Sequence, residues 1–356
     1  MKNSRLRFLS RKSDRKASHS VLQPLRFRRG FTLLQVIVTI SIIAVLAATL
    51  FGVMGSGKTT ARRAQCDTRL KAIALALDAF KQENGKFPKT LKALQADKYL
   101  REPGALQCPD DPRKDAAGYE EFYVVRASRD ADDMPLVVCP FHEEQGATGM
   151  QAFKGRYTAQ HPTRPARLTA ARNAMIQRPG KAAIAAAAGM ELRGGDRIIT
   201  GGTPPAGATG GTVGGATGTG GGALNNLAKA NGNMDGGEAV IEFADGSTAT
   251  LSSGTTATVL QSFLMGQSNA PLYTLIRQGV GQAIYKVHSG SKFDVVTPTA
   301  TSGARGTEFT ITVTKNGETQ LTVTEGKVAF TTLTQTVIAP LGQTVSGLLN
   351  GIIKLL

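Results

Sequence analysis

One uncharged stretch limits what this chain can fold into more than any other feature. From Phe31 to Met54 the sequence contains no charged residue, and the uncharged run continues to Gly57. About 20 apolar residues are enough for a helix to cross a bilayer. We therefore expect residues 31–54 to form the transmembrane part of a helix. A core helix of a soluble domain is the alternative, and the near absence of polar side chains disfavours it.

The residues before this stretch are strongly basic. Residues 1–30 contain ten Lys or Arg and a single acid, Asp14, within a chain whose formal net charge is +16. Basic residues stay on the cytoplasmic side of a membrane segment. The pattern predicts a single-pass protein with its N-terminus in the cytoplasm and all later residues on the far side.

The segment GVMGSGKT, residues 52–59, matches the phosphate-binding pattern G-x-x-x-x-G-K-[ST]. That pattern binds phosphate when its glycines connect a strand to the start of a helix. Here it follows an apolar helix, and no alternation of strands and helices comes after it. We therefore predict that Lys58 has no part in nucleotide binding.

The junction RFRRGFTLLQVIVTISIIAVLAA resembles the type IV prepilin signal, through Arg28, Arg29, Gly30 and Phe31. The resemblance implies that a prepilin peptidase cleaves after Gly30 and methylates the new N-terminus at Phe31. It also implies a bacterial inner-membrane location with periplasmic C-terminal domains. The implied partners are the peptidase, inner-membrane lipid, and other pilin or pseudopilin subunits or the secretion machinery. Gln35 stands at the assembly position where the family has Glu, which favours a minor or non-filament subunit.

The helix pattern continues beyond the apolar run. Apolar side chains recur at helical spacing from Leu70 to Phe80, and Gly85 is a candidate for the residue that ends the helix. A short second helix is expected at Leu91–Leu100. The segment ALDAFKQENGKFPKTLKALQ resembles the corresponding part of type II secretion pseudopilins. This resemblance implies a pseudopilin-like helix and small head over residues 55–150.

Three cysteines, Cys66, Cys108 and Cys139, leave several possibilities open. Outside the membrane, Cys108 and Cys139 are expected to form a disulfide, with Cys66 unpaired. A zinc site that adds Cys66 and His142 is a weaker alternative, because there is no second C-x-x-C or C-x-x-H pair. Unpaired thiols are the third possibility. No metal and no cofactor are predicted.

Residues 151–190 are expected to form a basic linker. From residue 145 to residue 190 there are seven Lys or Arg and no acid. Lipid headgroups or an acidic cell-wall polymer are possible partners, although a solvated linker is the simpler interpretation. Nucleic acid is not an expected partner on this side of the membrane.

From Glu191 the pattern changes to short alternating strands with Gly, Asn and Asp turns. Phe309, Ile311 and Val313 alternate with threonines, and Asn316-Gly317 is typical of a hairpin turn. The sequence predicts an antiparallel all-β domain over 191–345, followed by an apolar tail over 346–356. Residues 201–237 contain 14 Gly and are expected to form a flexible insertion.

The β region resembles the FecR domain, a bacterial β module. The landmarks are G-D-R at 195–197, F-A-D-G-S at 243–247, T-P-T-A at 297–300, A-R-G-T-E-F at 304–309 and E-G-K-V at 325–328. Within them, the residues expected to carry the family's features are Asp245, Gly246, Arg305, Gly306, Glu308, Phe309 and Gly326. These features are expected to be structural: glycines in turns, Phe309 in the core, and Arg305 paired with Glu308.

The expected fold class is α+β: a membrane-spanning pilin-type helix, a small α+β head and an all-β FecR-like domain. No catalytic set is apparent, and we expect no enzymatic activity. The predicted function is a pseudopilin-like structural component of a type II secretion or type IV pilus-like system, whose β domain recognises a partner, cargo or cell wall. The alternative is a FecR-type envelope sensor with a pilin-like anchor. The leader is too short for a folded cytoplasmic anti-sigma segment, which argues against that alternative.

Overall fold

A computed structural model describes residues 32–113, 118–124, 135–143, 148–153, 157–201, 236–266 and 270–356, with the backbone alone for 47–56, 148 and 157. The chain divides into two compact units, Met1–Gly57 and Lys58–Leu356. The predicted leader, residues 1–30, lies outside the described residues, as does the Gly-rich insertion from 202 to 235. Below, "head" denotes residues 58–162 and "β domain" denotes residues 163–356, both in the second unit.

Helical structure is confined to three elements of the described chain. They are α1 (Leu33–Asn84), α2 (Lys92–Ala96) and a 3-10 turn (Gly118–Phe122). The predicted end of the long helix is confirmed: Gly85 has φ 72°, and its N–H donates to the carbonyl of Lys81 at 2.8 Å. The predicted second helix is also present but shorter.

The GVMGSGKT segment lies inside α1, so it has neither the strand nor the glycine loop of a phosphate-binding site. In the part of the chain that the structure describes, no helix has the length and apolar character required to cross a membrane.

The head contains a three-stranded antiparallel sheet with two buried faces. Its strands are β1 (Pro135–Cys139), β2 (Thr148–Phe153) and β3 (Tyr157–Pro162). Side chains alternate across a strand, so residues of β1 and β2 reach both faces of the sheet. Val137 and Met150 face a core that they share with α1, whereas Val138 and Phe153 belong to a cluster shared with the β domain.

The α1 side of this head core is the predicted apolar stripe. Leu70, Ile73, Ala74 and Leu77 are fully buried. Phe80 is half-buried and packs edge-on against Tyr99, with ring centroids 5.5 Å apart. The spacing of these residues therefore correctly predicted the face of the helix that packs on the head.

The β domain consists of two sheets around one core. One sheet has the strand order β7-β4-β9-β10-β12-β15-β16-β19-β20, and the other has β6-β5-β8-β11-β12-β13-β14-β17-β18. The strands are β4 (Ala166–Arg172), β5 (Ala174–Gln177), β6 (Ile184–Ala185), β7 (Glu191–Leu192), β8 (Arg197–Thr200), β9 (Glu238–Glu242), β10 (Thr248–Leu251), β11 (Thr256–Leu264), β12 (Leu272–Lys286), β13 (Lys292–Val296), β14 (Thr301–Ala304), β15 (Glu308–Val313), β16 (Thr319–Glu325), β17 (Lys327–Thr331), β18 (Thr336–Pro340), β19 (Thr344–Gly347) and β20 (Ile353–Leu355).

Strand β12 belongs to both sheets. Its first part pairs with β11 and β13, and its last part, from Gly281, pairs with β10 and β15. Gly281 has φ 96°, and a Cβ there would lie 2.4 Å from Cα of Thr255. Only glycine fits this position. The β12–β13 pair is parallel, which corrects the prediction of a purely antiparallel domain.

The predicted hairpin at Asn316-Gly317 is confirmed. Gly317 has φ 87°, and β15 and β16 pair with Phe309 opposite Val323 and Ile311 opposite Leu321. All four of these apolar side chains are buried in the core of the β domain.

Two predicted boundaries are wrong. Much of the predicted linker, residues 151–190, is strand: β4 and β5 pair with β9 and β8 of the β domain. In β4 the basic residues Arg167 and Arg172 are exposed while Leu168 faces the core, so a high charge was compatible with a strand. The predicted tail, 346–356, contains β20, which pairs with β19.

Head and β domain share an apolar cluster. The contributing side chains from the head are Phe122, Val124, Val138 and Phe153, and those from the β domain are Leu260, Phe263, Tyr273, Leu275 and Val296. A hydrogen bond joins the same surfaces, since the guanidinium of Arg277 donates to the carbonyl of Tyr123 at 2.7 Å. The β domain therefore packs directly on the head sheet.

Candidate functional site

The predicted processing site lies at the edge of what the structure describes. Gly30 and Phe31 are outside the described residues, and Gln35 is exposed in the first turn of α1. The backbone N–H of Gln35 donates to the carbonyl of Thr32 at 2.9 Å. Its side chain lies on the surface of the helix, and its role in assembly stays a prediction.

The head core brings together all three cysteines and His142. Their ligand atoms lie within 4.8 Å of one another, and all four residues are buried. Sγ of Cys66 lies 3.6 Å from Sγ of Cys139, and Sγ of Cys108 lies 3.2 Å from Nε2 of His142. Cys66 comes from α1, Cys139 ends β1, and the other two residues lie in loops.

This arrangement corrects the cysteine predictions. The three cysteines are free thiols in this structure, so the expected Cys108–Cys139 disulfide is not formed in it. The expectation that Cys66 stands apart is wrong, because α1 packs against β1 and carries this thiol to Cys139. The four-residue cluster that the sequence treats as the weaker alternative is the one that folding assembles.

Polar groups surround this Cys/His cluster. The hydroxyl of Tyr119 lies 2.9 Å from Sγ of Cys66. Oδ2 of Asp110 lies 3.1 Å from Nδ1 of His142, close enough for an ion pair although the alignment is not that of a hydrogen bond. Oδ1 of Asp110 accepts from Arg62 at 3.1 Å.

The environment of the cluster also shifts the pKa values of its cysteines. Hydrogen bonds from the thiols of Cys139 and Cys66 lower the pKa of Cys108. Burial raises the pKa of Cys139. The same cluster therefore shifts the pKa values of neighbouring thiols in opposite directions.

A second buried polar group lies where the head meets the β domain. Nε2 of Gln261 donates to Oε1 of Glu143 at 2.9 Å, and Oε1 of Gln261 accepts from Nε2 of Gln151 at 2.9 Å. The N–H of Gly194 donates to Oε2 of Glu143 at 3.0 Å. Burial raises the pKa of Glu143 to about 7. These hydrogen bonds fix the position of the β domain on the head.

Most of the FecR-like landmarks are structural. Asp245 accepts from the N–H and the hydroxyl of Ser247, both at 2.9 Å, and that hydroxyl accepts from the N–H of His288 at 2.9 Å. Phe309 is fully buried, as predicted. Gly246, Gly306 and Gly326 all have positive φ in turns. The expected Arg305–Glu308 pair is wrong, because Glu308 instead pairs with Lys286 at 3.7 Å and Arg305 is exposed.

Several landmark residues line a shallow groove of about 270 Å³ on the β domain. Its walls are Gly246, Lys286, Val287, His288, Ser289, Gly306, Thr307 and Glu325. Lys286 and His288 are exposed, and Oγ1 of Thr307 is buried without a hydrogen-bond partner. This groove is the candidate recognition surface of the β domain.

Sequence reasoning missed the residues that join head and β domain, Gln261 and Glu143. Gln261 lies in β11, which is buried from Ala257 to Leu264 and shifts register against β12 between Val259 and Gln261, so no simple alternation assigned this side chain to a buried face. It also missed Asp110 as the neighbour of His142. The C-P-D-D run that contains it was the available signal, since it starts at a cysteine.

Comparison with known proteins supports both resemblances. The model of the FecR protein family matches residues 233–329. A 69-residue segment is 39% identical to type II secretion system core protein G of Klebsiella pneumoniae, covering 19% of this chain and 49% of that protein. A 90-residue segment is 32% identical to the core protein G of Pseudomonas aeruginosa, covering 25% and 62%.

The chain thus combines a FecR region with a pseudopilin-like segment, and it spans about half to three-fifths of the length of these curated relatives. Among solved structures, a "putative anti-sigma factor" from Parabacteroides distasonis aligns with 34% of this chain and 56% of its own. The identity is 19% and the TM-score 0.29, which is too low to support an argument.

Proposed function

We propose that this protein is a pseudopilin-like structural component of a type II secretion or type IV pilus-like system. The observation that carries the proposal is the 39% identity to type II secretion system core protein G over 69 residues. The packing of α1 on a small sheet is consistent with it. In the second unit, α1 buries Leu70, Ile73 and Leu77 against the head, as a pilin-type helix would.

The β domain serves in this proposal as the recognition part of the subunit. It packs on the head through the shared apolar cluster and the Gln261–Glu143 hydrogen bond. A module held this rigidly would be displayed in a fixed orientation on the assembled machine. The groove beside Lys286 and His288 is the surface we assign to a partner, cargo protein or cell-wall polymer.

The proposed location follows from the basic leader and the apolar segment after it. We place the N-terminus in the cytoplasm, residues 31–54 in the bacterial inner membrane, and the head and β domain in the periplasm. Prepilin peptidase would cleave between Gly30 and Phe31. We propose no enzymatic activity for the protein itself.

A second function is favoured by the match of residues 233–329 to the FecR protein family. In that alternative the protein is an envelope sensor that uses a pilin-like anchor, and its β domain responds to an envelope partner. The two proposals differ in what removal of the protein changes: export of secreted proteins in the first, transcription in the second.

The proposal is tested in the source bacterium by following the mature N-terminus and the secreted proteins. Mass spectrometry is expected to show a chain that begins at methylated Phe31. Gly30→Leu should leave the full-length precursor, whereas Gly57→Leu in the same helix should be processed normally. Crosslinking should then recover secretion or pilus subunits. A processed Gly30→Leu protein, or a deletion strain with normal export and altered transcription, would contradict the structural role.

A further inference from the structure

We infer that Cys66, Cys108, Cys139 and His142 bind one zinc ion in the core of the head. Three thiolates and one imidazole are a typical ligand set for structural zinc. Soft sulfur donors in a four-ligand group favour this ion over calcium or magnesium. All four ligand atoms converge within 4.8 Å. The inference concerns the stability of the head and does not depend on the proposed function.

The distances match a tetrahedral site better than a disulfide. With Zn–S of about 2.3 Å, two sulfurs of a tetrahedron lie about 3.8 Å apart, and with Zn–N of about 2.0 Å a sulfur and a nitrogen lie about 3.5 Å apart. The corresponding distances here are 3.6 Å for Cys66–Cys139 and 3.2 Å for Cys108–His142. A disulfide requires about 2.05 Å between sulfurs. Small outward shifts of the side chains therefore suffice to admit the ion.

The orientation of His142 is that of a metal ligand. Nε2 faces the sulfurs, while Nδ1 faces the carboxylate of Asp110 at 3.1 Å. Metal-bound histidines almost always direct the second nitrogen at a carboxylate, a backbone carbonyl or water, which selects the tautomer and makes the ligand more basic. Asp110 is itself held by Arg62 at 3.1 Å. The hydroxyl of Tyr119 lies 2.9 Å from Cys66, where it can donate to a thiolate.

Burial and placement make this a structural site. The four ligands are all buried in the head core and leave no open coordination position, so the ion would not be catalytic. Binding releases the thiol protons to solvent as three Zn–S bonds form, and the neutral imidazole adds the fourth ligand. The ion then joins α1, through Cys66, to the end of β1 at Cys139 and to the two loops that carry Cys108 and His142.

The first experiment measures metal in the full-length chain, purified under reducing conditions without added metal. Mass spectrometry of the metals should find one zinc per chain, and replacement by Co²⁺ should produce the visible absorption of tetrahedral cobalt with thiolate charge transfer. Alkylation after unfolding should count three free thiols. A zinc-free protein without that cobalt spectrum, or one in which two thiols are bridged, overturns the inference. Stoichiometric iron or copper also overturns the assignment of zinc.

Substitutions then test the individual ligands. Cys66→Ser and His142→Ala should abolish stoichiometric zinc, whereas His288→Ala, at an exposed histidine of the β domain, should retain it. If ligand variants fail to fold, Asp110→Asn keeps the test open, because loss of the carboxylate beside His142 should weaken zinc binding about 10- to 100-fold. Its control is Asp111→Asn, since Asp111 pairs with Arg113. Equal zinc affinity in both aspartate variants would contradict the assigned role of Asp110.

Discussion

Gln261 and Glu143 meet across the junction of the two folded parts, with Nε2 of Gln261 2.9 Å from Oε1 of Glu143. Gln261 lies on β11 of the β domain and is fully buried. Its carbonyl oxygen simultaneously accepts from Gln151 of the head. Both the amide nitrogen and the amide oxygen of Gln261 are hydrogen-bonded in this buried junction. A different arrangement of the two surfaces would break these hydrogen bonds and leave polar groups unpaired, so the side chain specifies one arrangement.

The first prediction concerns this junction. Gln261→Leu keeps the volume but leaves Glu143 and Gln151 without their partner. A buried unsatisfied group costs about 1–3 kcal/mol, so we expect a loss of about 2–4 kcal/mol in the free energy of unfolding, measured in urea. The control is Gln320→Leu, at an exposed position of β16, which should change stability by less than about 0.5 kcal/mol. Equal stability of the two variants would contradict the role of Gln261.

The second prediction concerns the shared strand β12. Gly281→Ala puts a Cβ 2.4 Å from Cα of Thr255 and forces φ 96° on a residue that rarely adopts it. We expect a loss of about 3 kcal/mol or more, measured by thermal unfolding. Gly279→Ala is the matched control two residues earlier, where the nearest atom lies 3.8 Å away. A Gly281→Ala protein as stable as the control would show that the strand can bend elsewhere.

The third prediction tests the packing of α1 on the head. Leu70→Ala removes a fully buried side chain and should lower the free energy of unfolding by about 2–5 kcal/mol. Leu75, on the same helix, is 51% exposed, so Leu75→Ala should have little effect. Similar losses in both variants, measured by equilibrium unfolding, would place the packed face of the helix elsewhere.

The fourth prediction concerns the segment that matches a phosphate-binding loop. Lys58 is an exposed residue of α1, so Lys58→Ala should leave the stability unchanged. Isothermal calorimetry of the purified protein with ATP should detect no binding at micromolar concentrations. ATP binding by the unmodified protein that Lys58→Ala abolishes would contradict the prediction and would show that this segment binds nucleotide.

The fifth prediction concerns assembly. A carboxylate at position 35 would form a charge-assisted hydrogen bond with the amine of a neighbouring Phe31, about twice as strong as the neutral bond of Gln35. Gln35→Glu should therefore raise the fraction of this protein in purified filaments, as quantified by mass spectrometry. Gln82→Glu, at an exposed position near the end of α1, is the control. If this protein is the dominant subunit of the filaments and neither substitution changes its amount there, the predicted minor role is contradicted.

Local patterns in the sequence determined several elements. The apolar spacing at Leu70, Ile73 and Leu77 identified the packed face of α1, and Gly85 marked its end. The Asn316-Gly317 turn and the alternation around Ile311 identified a hairpin with the correct inward residues. Each of these depends on residues close in sequence, where backbone geometry and side-chain period suffice.

Only the tertiary structure decided the features that join distant segments. A basic stretch became β4 because its backbone pairs with β9 and Leu168 packs in the core beside Ile241, and no pattern within 151–190 contains that partner strand. Cys66 and Cys139 became neighbours because α1 covers the head sheet. Long-range pairings compete for one buried core, and this competition decides which strand or thiol lies opposite a given residue. No short stretch of the sequence contains the information that decides it.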